Sequence, residues 1–121
     1  MGEKNFHDQL KEYIHEYILL TYASTKKYPK DEQYGLTSQD RRAAVSVMLN
    51  YIEGYAGGTW NMTAHQYEIG FASLKESIYA RYLAKELGYI SEEMYKEALV
   101  LKEKIAPMLY TTIRGIRQRQ S

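Results

Sequence analysis

The sequence predicts an all-α domain, an antiparallel up-down-up-down four-helix bundle. Two observations carry that expectation. Apolar residues recur at helical spacing along the whole chain, and no stretch alternates with period two for long enough to make a strand. Proline and glycine punctuation cuts the 121 residues into four segments joined by short connections, which favour antiparallel neighbours. A chain of this length makes one domain, taken here as residues 1–121. Area scaling gives about 6,800 Å² folded against about 20,600 Å² unfolded, so a core can form without staples.

In the first segment Phe6, Leu10, Tyr13, Tyr17 and Leu20 step by four and three, with Ile14 and Ile18 widening the stripe. Asp8, Lys11, Glu12 and Glu16 fill the other side, so an amphipathic helix is expected over 6–27. It must stop before Pro29, because the residue preceding proline avoids the α region. After a charged turn, Thr37 and Asp40 resemble a weak capping box for a second helix over 36–56. That helix is apolar on two sides: Ala43, Ala44, Val47, Met48 and Tyr51 on one, Val45, Leu49 and Ile52 on the other. Gly57 and Gly58 break it.

Residues 58–62 read as a loop ending at Thr63, the expected N-cap of a third helix over 64–87. Tyr67, Phe71, Leu74, Ile78 and Tyr82 form its stripe, with Ala72, Tyr79, Leu83 and Leu87 as a second row. Gly88 suits a left-handed C′ position, and Ser91 caps a fourth helix over 92–117. Met94, Ala98, Leu101, Ile105, Met108 and Thr112 make its stripe, and Pro107 is expected to kink it. The second apolar rows exceed what one interior needs, so self-association is expected. Thirteen tyrosines, each with an apolar ring and a polar hydroxyl, suit such contacts.

Composition removes several function classes. With no cysteine there is no disulfide scaffold, zinc ribbon or thiol nucleophile. A formal charge of +1 is not that of a strongly basic nucleic-acid binder. The N-terminus is too polar for a signal peptide and no apolar run would span a membrane, so a cytoplasmic location is expected. A bundle di-iron centre needs Glu-x-x-His twice, and only Glu12 to His15 offers it. Ser46 and Ser73 lie in apolar stripes without a nearby histidine, and the glycines spell no phosphate loop. No catalytic residue, metal or cofactor is expected, and the chain reads as non-enzymatic.

Charged and aromatic side chains remain. Glu53 sits among apolar neighbours, is expected to be partly buried, and needs a partner. Arg42, three turns earlier, lies on the same side. The pair reads either as an ion pair within or between subunits, or as leaving Arg41 and Arg42 for phosphate contact. Tyr51 and Tyr55 join Arg42 and Glu53 as candidate interface residues. Arg114, Arg117 and Arg119 close the chain, and Trp60 offers a stacking surface. Symmetry would repeat any basic stripe around a ring and permit salt-dependent phosphate binding. The other basic residues, Arg81 among them, read as a solvated face.

The stretch from Tyr34 to Gln39, Arg41 to Ser46, then Asn50, Glu53 and Gly54 resembles the four-helix-bundle proteins named after intervening sequences in bacterial 23S ribosomal RNA genes. Their pattern runs approximately YGLTSQxRRAAVSIPxNIAEG. Tyr28-Pro29-Lys30, Ser73-Leu74 with Glu76, and Leu87 to Ile90 agree in order, so the resemblance covers about residues 10–117. It implies a left-handed protomer in a homopentameric ring, and RNA or DNA binding. The family is similar in architecture to the accessory proteins of diversity-generating retroelements, so a reverse transcriptase becomes a candidate partner. Two departures stand out. Met48 replaces a proline common in the family. Tyr55 to Trp60 replaces a Gly-Arg-like segment, which removes charge from that loop.

Overall fold

A computed structural model describes residues 5–120. The domain expected over 1–121 therefore extends at both ends outside the described residues. Four α-helices and one 3-10 turn (Lys30–Glu32) account for the structure, with no strand among the described residues: α1 (Phe6–Thr25), α2 (Leu36–Tyr55), α3 (Trp60–Glu86) and α4 (Glu92–Gln120). Each helix packs on two others: α2 on α1 and α3, α4 on α3 and α1. The main core joins Leu10, Ile14 and Tyr17 of α1 to Val47 and Tyr51 of α2. Tyr67 and Leu74 of α3 and Ile105, Leu109 and Ile116 of α4 complete it. A smaller cluster of Tyr28, Leu36, Ala84 and Ile90 seals the far end.

The α2–α3 seam is close because its residues are small. A Cβ on Gly54 would lie 2.5 Å from the Tyr67 ring, and one on Gly70 would lie 3.4 Å from the Val47 carbonyl oxygen. Serines fill the same seam, with Ser46 Oγ 2.9 Å from Ser73 Oγ, and Asn50 Nδ2 donating back to Ser46.

Three expectations about helix ends need correction. α1 stops at Thr25 and Lys26 to Tyr28 form a turn, so the helix does not reach residue 27. α2 is not capped by Thr37 and Asp40. Its N-cap is Gly35, and Glu32 Oε1 accepts the Leu36 amide at 3.0 Å. α3 begins four residues earlier than expected, because Thr59 rather than Thr63 accepts a first-turn amide, that of Met62. Thr63 instead donates to the Gly54 carbonyl at 3.1 Å, tying α3 to the end of α2. Gly57 (φ 119°), Gly58 (φ 120°) and Gly88 (φ 80°) occupy left-handed backbone that other residues resist. Ser91 caps α4 by accepting the Met94 amide, and α4 runs unbroken past Pro107.

Candidate nucleic-acid interface

One set of polar residues is wholly internal. Asp40 and Arg81 are both inaccessible to solvent, and Arg81 Nε donates to Asp40 Oδ2 at 2.8 Å. Ser77 donates to Asp40 Oδ1 at 2.6 Å and Tyr28 to Oδ2 at 3.0 Å, while Arg81 Nη2 donates to Thr21 Oγ1. Tyr17 OH pairs with Ser77 Oγ at 2.8 Å, and the Arg81 guanidinium stacks 5.3 Å from the Tyr17 ring. The backbones of α1 and α3 are diagonal in the bundle, and this cluster bridges them. Burial alone opposes the Arg81 charge, yet the hydrogen bond to Asp40 and the surrounding groups outweigh it and raise its pKa. Burial pushes the Tyr17 phenol up to about 12.

The sequence reading puts Arg81 on a solvated face and Asp40 at a cap, and the structure corrects both. The signal was present in the spacing. Arg81 is in phase with Tyr67, Leu74, Ser77 and Ala84, and Asp40 with Leu36, Ala43 and Val47, all buried.

The sequence candidates divide between the two ends of α2. Arg41 is half-buried, donates from Nε to Thr25 Oγ1 at 2.7 Å, and lies 4.6 Å over the Tyr22 ring. Arg42 is exposed and borders grooves on both sides of α2. One, of about 800 Å³, holds Ser46, Ser73 and Lys75; the other, of about 510 Å³, holds Leu49, Asn50 and Glu53. Glu53 is exposed, not partly buried, and no ion pair joins it to Arg42 within the chain. Eleven residues of helix rise about 16 Å, beyond the reach of both side chains together. Tyr51 is a core residue rather than a surface one: 1% exposed, it stacks on Tyr67 at 5.0 Å and hydrogen-bonds His7 Nδ1. Tyr55 is exposed.

At the other end of the bundle the structure joins two candidates that lie far apart in sequence. Because α3 starts at Trp60, the indole stands on its first turn. The Arg119 guanidinium, near the end of α4, lies 5.1 Å from the ring centroid. Both side chains are exposed. Arg114 is exposed as well and has no carboxylate partner among the described residues. Arg117 differs: its Nη2 and Nε grip the Glu68 carboxylate at 2.7 and 3.2 Å, and Nη1 donates to Asn61 Oδ1 at 2.6 Å. That hydrogen-bonded pairing lowers the Glu68 pKa and raises that of Arg117. Arg117 is therefore a clamp between α3 and α4, not an open phosphate contact.

These observations define a class: an all-α four-helix protein with an internal ion pair and an open basic-aromatic end. Residues 9–111 match the family model of the 23S rRNA-intervening sequence protein, and the chain belongs to that family. Its fold is similar to the crystal structure of a protein of unknown function from the S23 ribosomal protein family of Bacteroides thetaiotaomicron. The TM-score is 0.78 at 18% identity, over 86% of this chain and 97% of that one. No curated protein matches the sequence. Among the described residues no helix is long and apolar enough to cross a membrane.

Proposed function

We propose that the protein is a non-enzymatic, cytoplasmic, homo-oligomeric accessory protein that binds RNA or DNA. The observation that carries this reading is the Arg119 guanidinium over the exposed Trp60 ring, without a carboxylate partner among the described residues. An open cation beside an open aromatic face supplies the two elements of single-strand recognition, phosphate neutralisation and base stacking. Arg114 adds charge on the same helix, and Arg42 adds it on α2. The name of the family makes RNA the first ligand to test.

Self-assembly is supported by the outward faces of α2 and α3. Leu49, Ile52 and Tyr79, with Leu87 at the C-cap of α3, each leave half or more of their surface in water, a costly arrangement for an isolated protomer. The up-down-up-down bundle in a pentameric ring is the arrangement the family resemblance suggests. Native mass spectrometry would then return about 71 kDa, five chains of 14.2 kDa.

The test is fluorescence anisotropy of a labelled short single-stranded RNA at several salt concentrations. Binding should weaken with salt. Replacing Arg114 and Arg119 by glutamate should flatten the salt slope by about 0.7 for each phosphate no longer neutralised. Unchanged affinity and slope would contradict the reading. The exposed apolar faces favour a second reading, an oligomeric scaffold for a protein partner such as a reverse transcriptase. Under it, RNA leaves the protein unaffected at physiological salt, whereas Leu49→Glu lowers the assembly mass.

A further inference from the structure

Next to Trp60 and Arg119 lies a cavity of about 610 Å³, framed by the starts of α1 and α3 and the ends of α2 and α4. That volume falls in the range of small-molecule sites. Its floor is Tyr67 and Ile116, and Phe6, Tyr55 and Trp60 stand at its walls with 43 to 59% of their surface in water. From this cavity we infer a nucleotide site, which rests on the nucleic-acid reading above and narrows it. A flat base would stack against the aromatic walls, with its phosphate at Arg119.

Three features select that chemistry. First, no carboxylate among the described residues lines the cavity, while Arg119 brings a positive charge to its edge. An aromatic cage for a cationic ligand would want the opposite polarity. Second, polar groups stand among the rings: Thr111, the Nε2 side of His7 (its Nδ1 being bonded to Tyr51), and the hydroxyl oxygens of Thr63 and Thr112, which donate to the Gly54 and Met108 carbonyls and keep lone pairs to accept. They suit the hydrogen-bonding edge of a base better than a plain hydrocarbon. Third, Gly115 faces the cavity from within α4. A Cβ there would meet nothing within 4 Å, and no positive φ requires glycine. Glycine in a helix interior is less stable than alanine, so neither packing nor backbone explains this residue. What its missing side chain does is widen the cavity.

The chain has one tryptophan, so intrinsic tryptophan fluorescence reports this site alone. The experiment titrates the full-length protein with AMP, with a short single-stranded RNA of mixed sequence, and with ribose 5-phosphate, which lacks a base. Quenching by AMP or by the RNA but not by ribose 5-phosphate supports the inference. Response to AMP indicates a free-nucleotide site, and response to RNA alone indicates a base held within a strand. Gly115→Leu is a helix-compatible substitution that fills the cavity, and should weaken that response about tenfold or more, the size of one stacking contact. Gly115→Ala should retain more of it, which separates filling from loss of fold. RNA binding seen by anisotropy with Trp60 fluorescence unmoved would overturn the nucleotide site while leaving the broader reading standing. Absence of both signals would overturn both.

Discussion

Arg81 and Arg119 make nearly the same local contact and have opposite surroundings. Each guanidinium lies just over 5 Å from an aromatic ring, Tyr17 for one and Trp60 for the other. Arg81 is sealed from water and bound to Asp40 of α2 and Thr21 of α1. Arg119 stands at an open cavity with no carboxylate on its lining among the described residues. An arginine beside an aromatic ring thus has no fixed meaning. Its partner and its access to water decide whether it holds the fold or meets a ligand.

The largest expected effect comes from breaking the buried side of that contrast. Arg81→Met should cost about 3–5 kcal/mol, read as a fall in urea midpoint, because Asp40 is left as an unpaired buried charge. Replacing both partners, Asp40→Leu with Arg81→Met, should recover much of that stability. A single variant as stable as the parent would mean that the ion pair does not hold the fold.

Alkaline titration sharpens the same contrast. Unfolded tyrosine releases its proton near 10, whereas burial holds that of native Tyr17 to about 12. The native state therefore binds the proton more tightly, and stability is fully present below pH 10. It should decline by about 2–3 kcal/mol as the pH rises through 12. Tyrosinate absorbance followed alongside circular dichroism should show a phenol class that ionises well above the exposed tyrosines while the fold persists.

At the open end, Trp60→Ala should leave the urea midpoint nearly unchanged and weaken RNA binding by about 1–3 kcal/mol. The reverse outcome, reduced stability with intact binding, would make Trp60 a packing residue. The smallest effect is expected at the half-exposed clamp between Arg117 and Glu68. Glu68→Gln should cost under about 1 kcal/mol of stability, and less in high salt.

Helix content was legible because the spacing of Leu10, Ile14 and Tyr17, or of Tyr67 and Leu74, is dictated by the core those residues build. Helix ends were less so, since Thr59 and Thr63 are equally good caps by residue type. Only packing against the end of α2 chooses between them. That choice moves Trp60 from a loop onto a helix, where it meets Arg119. The Asp40–Arg81 pair escaped because charge suggested surface while phase with buried neighbours suggested core, and the phase was the better guide. Arg42 and Glu53 show the converse. Helical phase places them on one side correctly, but the rise along the axis keeps them apart.

The open end, with Trp60 and Arg119, is proposed as the main nucleic-acid contact, and Arg42 near the start of α2 as an added charge. The most direct test is the salt dependence of RNA affinity for the parent protein, for Trp60→Ala with Arg119→Gln, and for Arg117→Gln. A clear fall in affinity and a flatter slope are expected in the Trp60 and Arg119 variant, with the Arg117 variant close to the parent. Equal affinity and slope in all three would contradict the proposal.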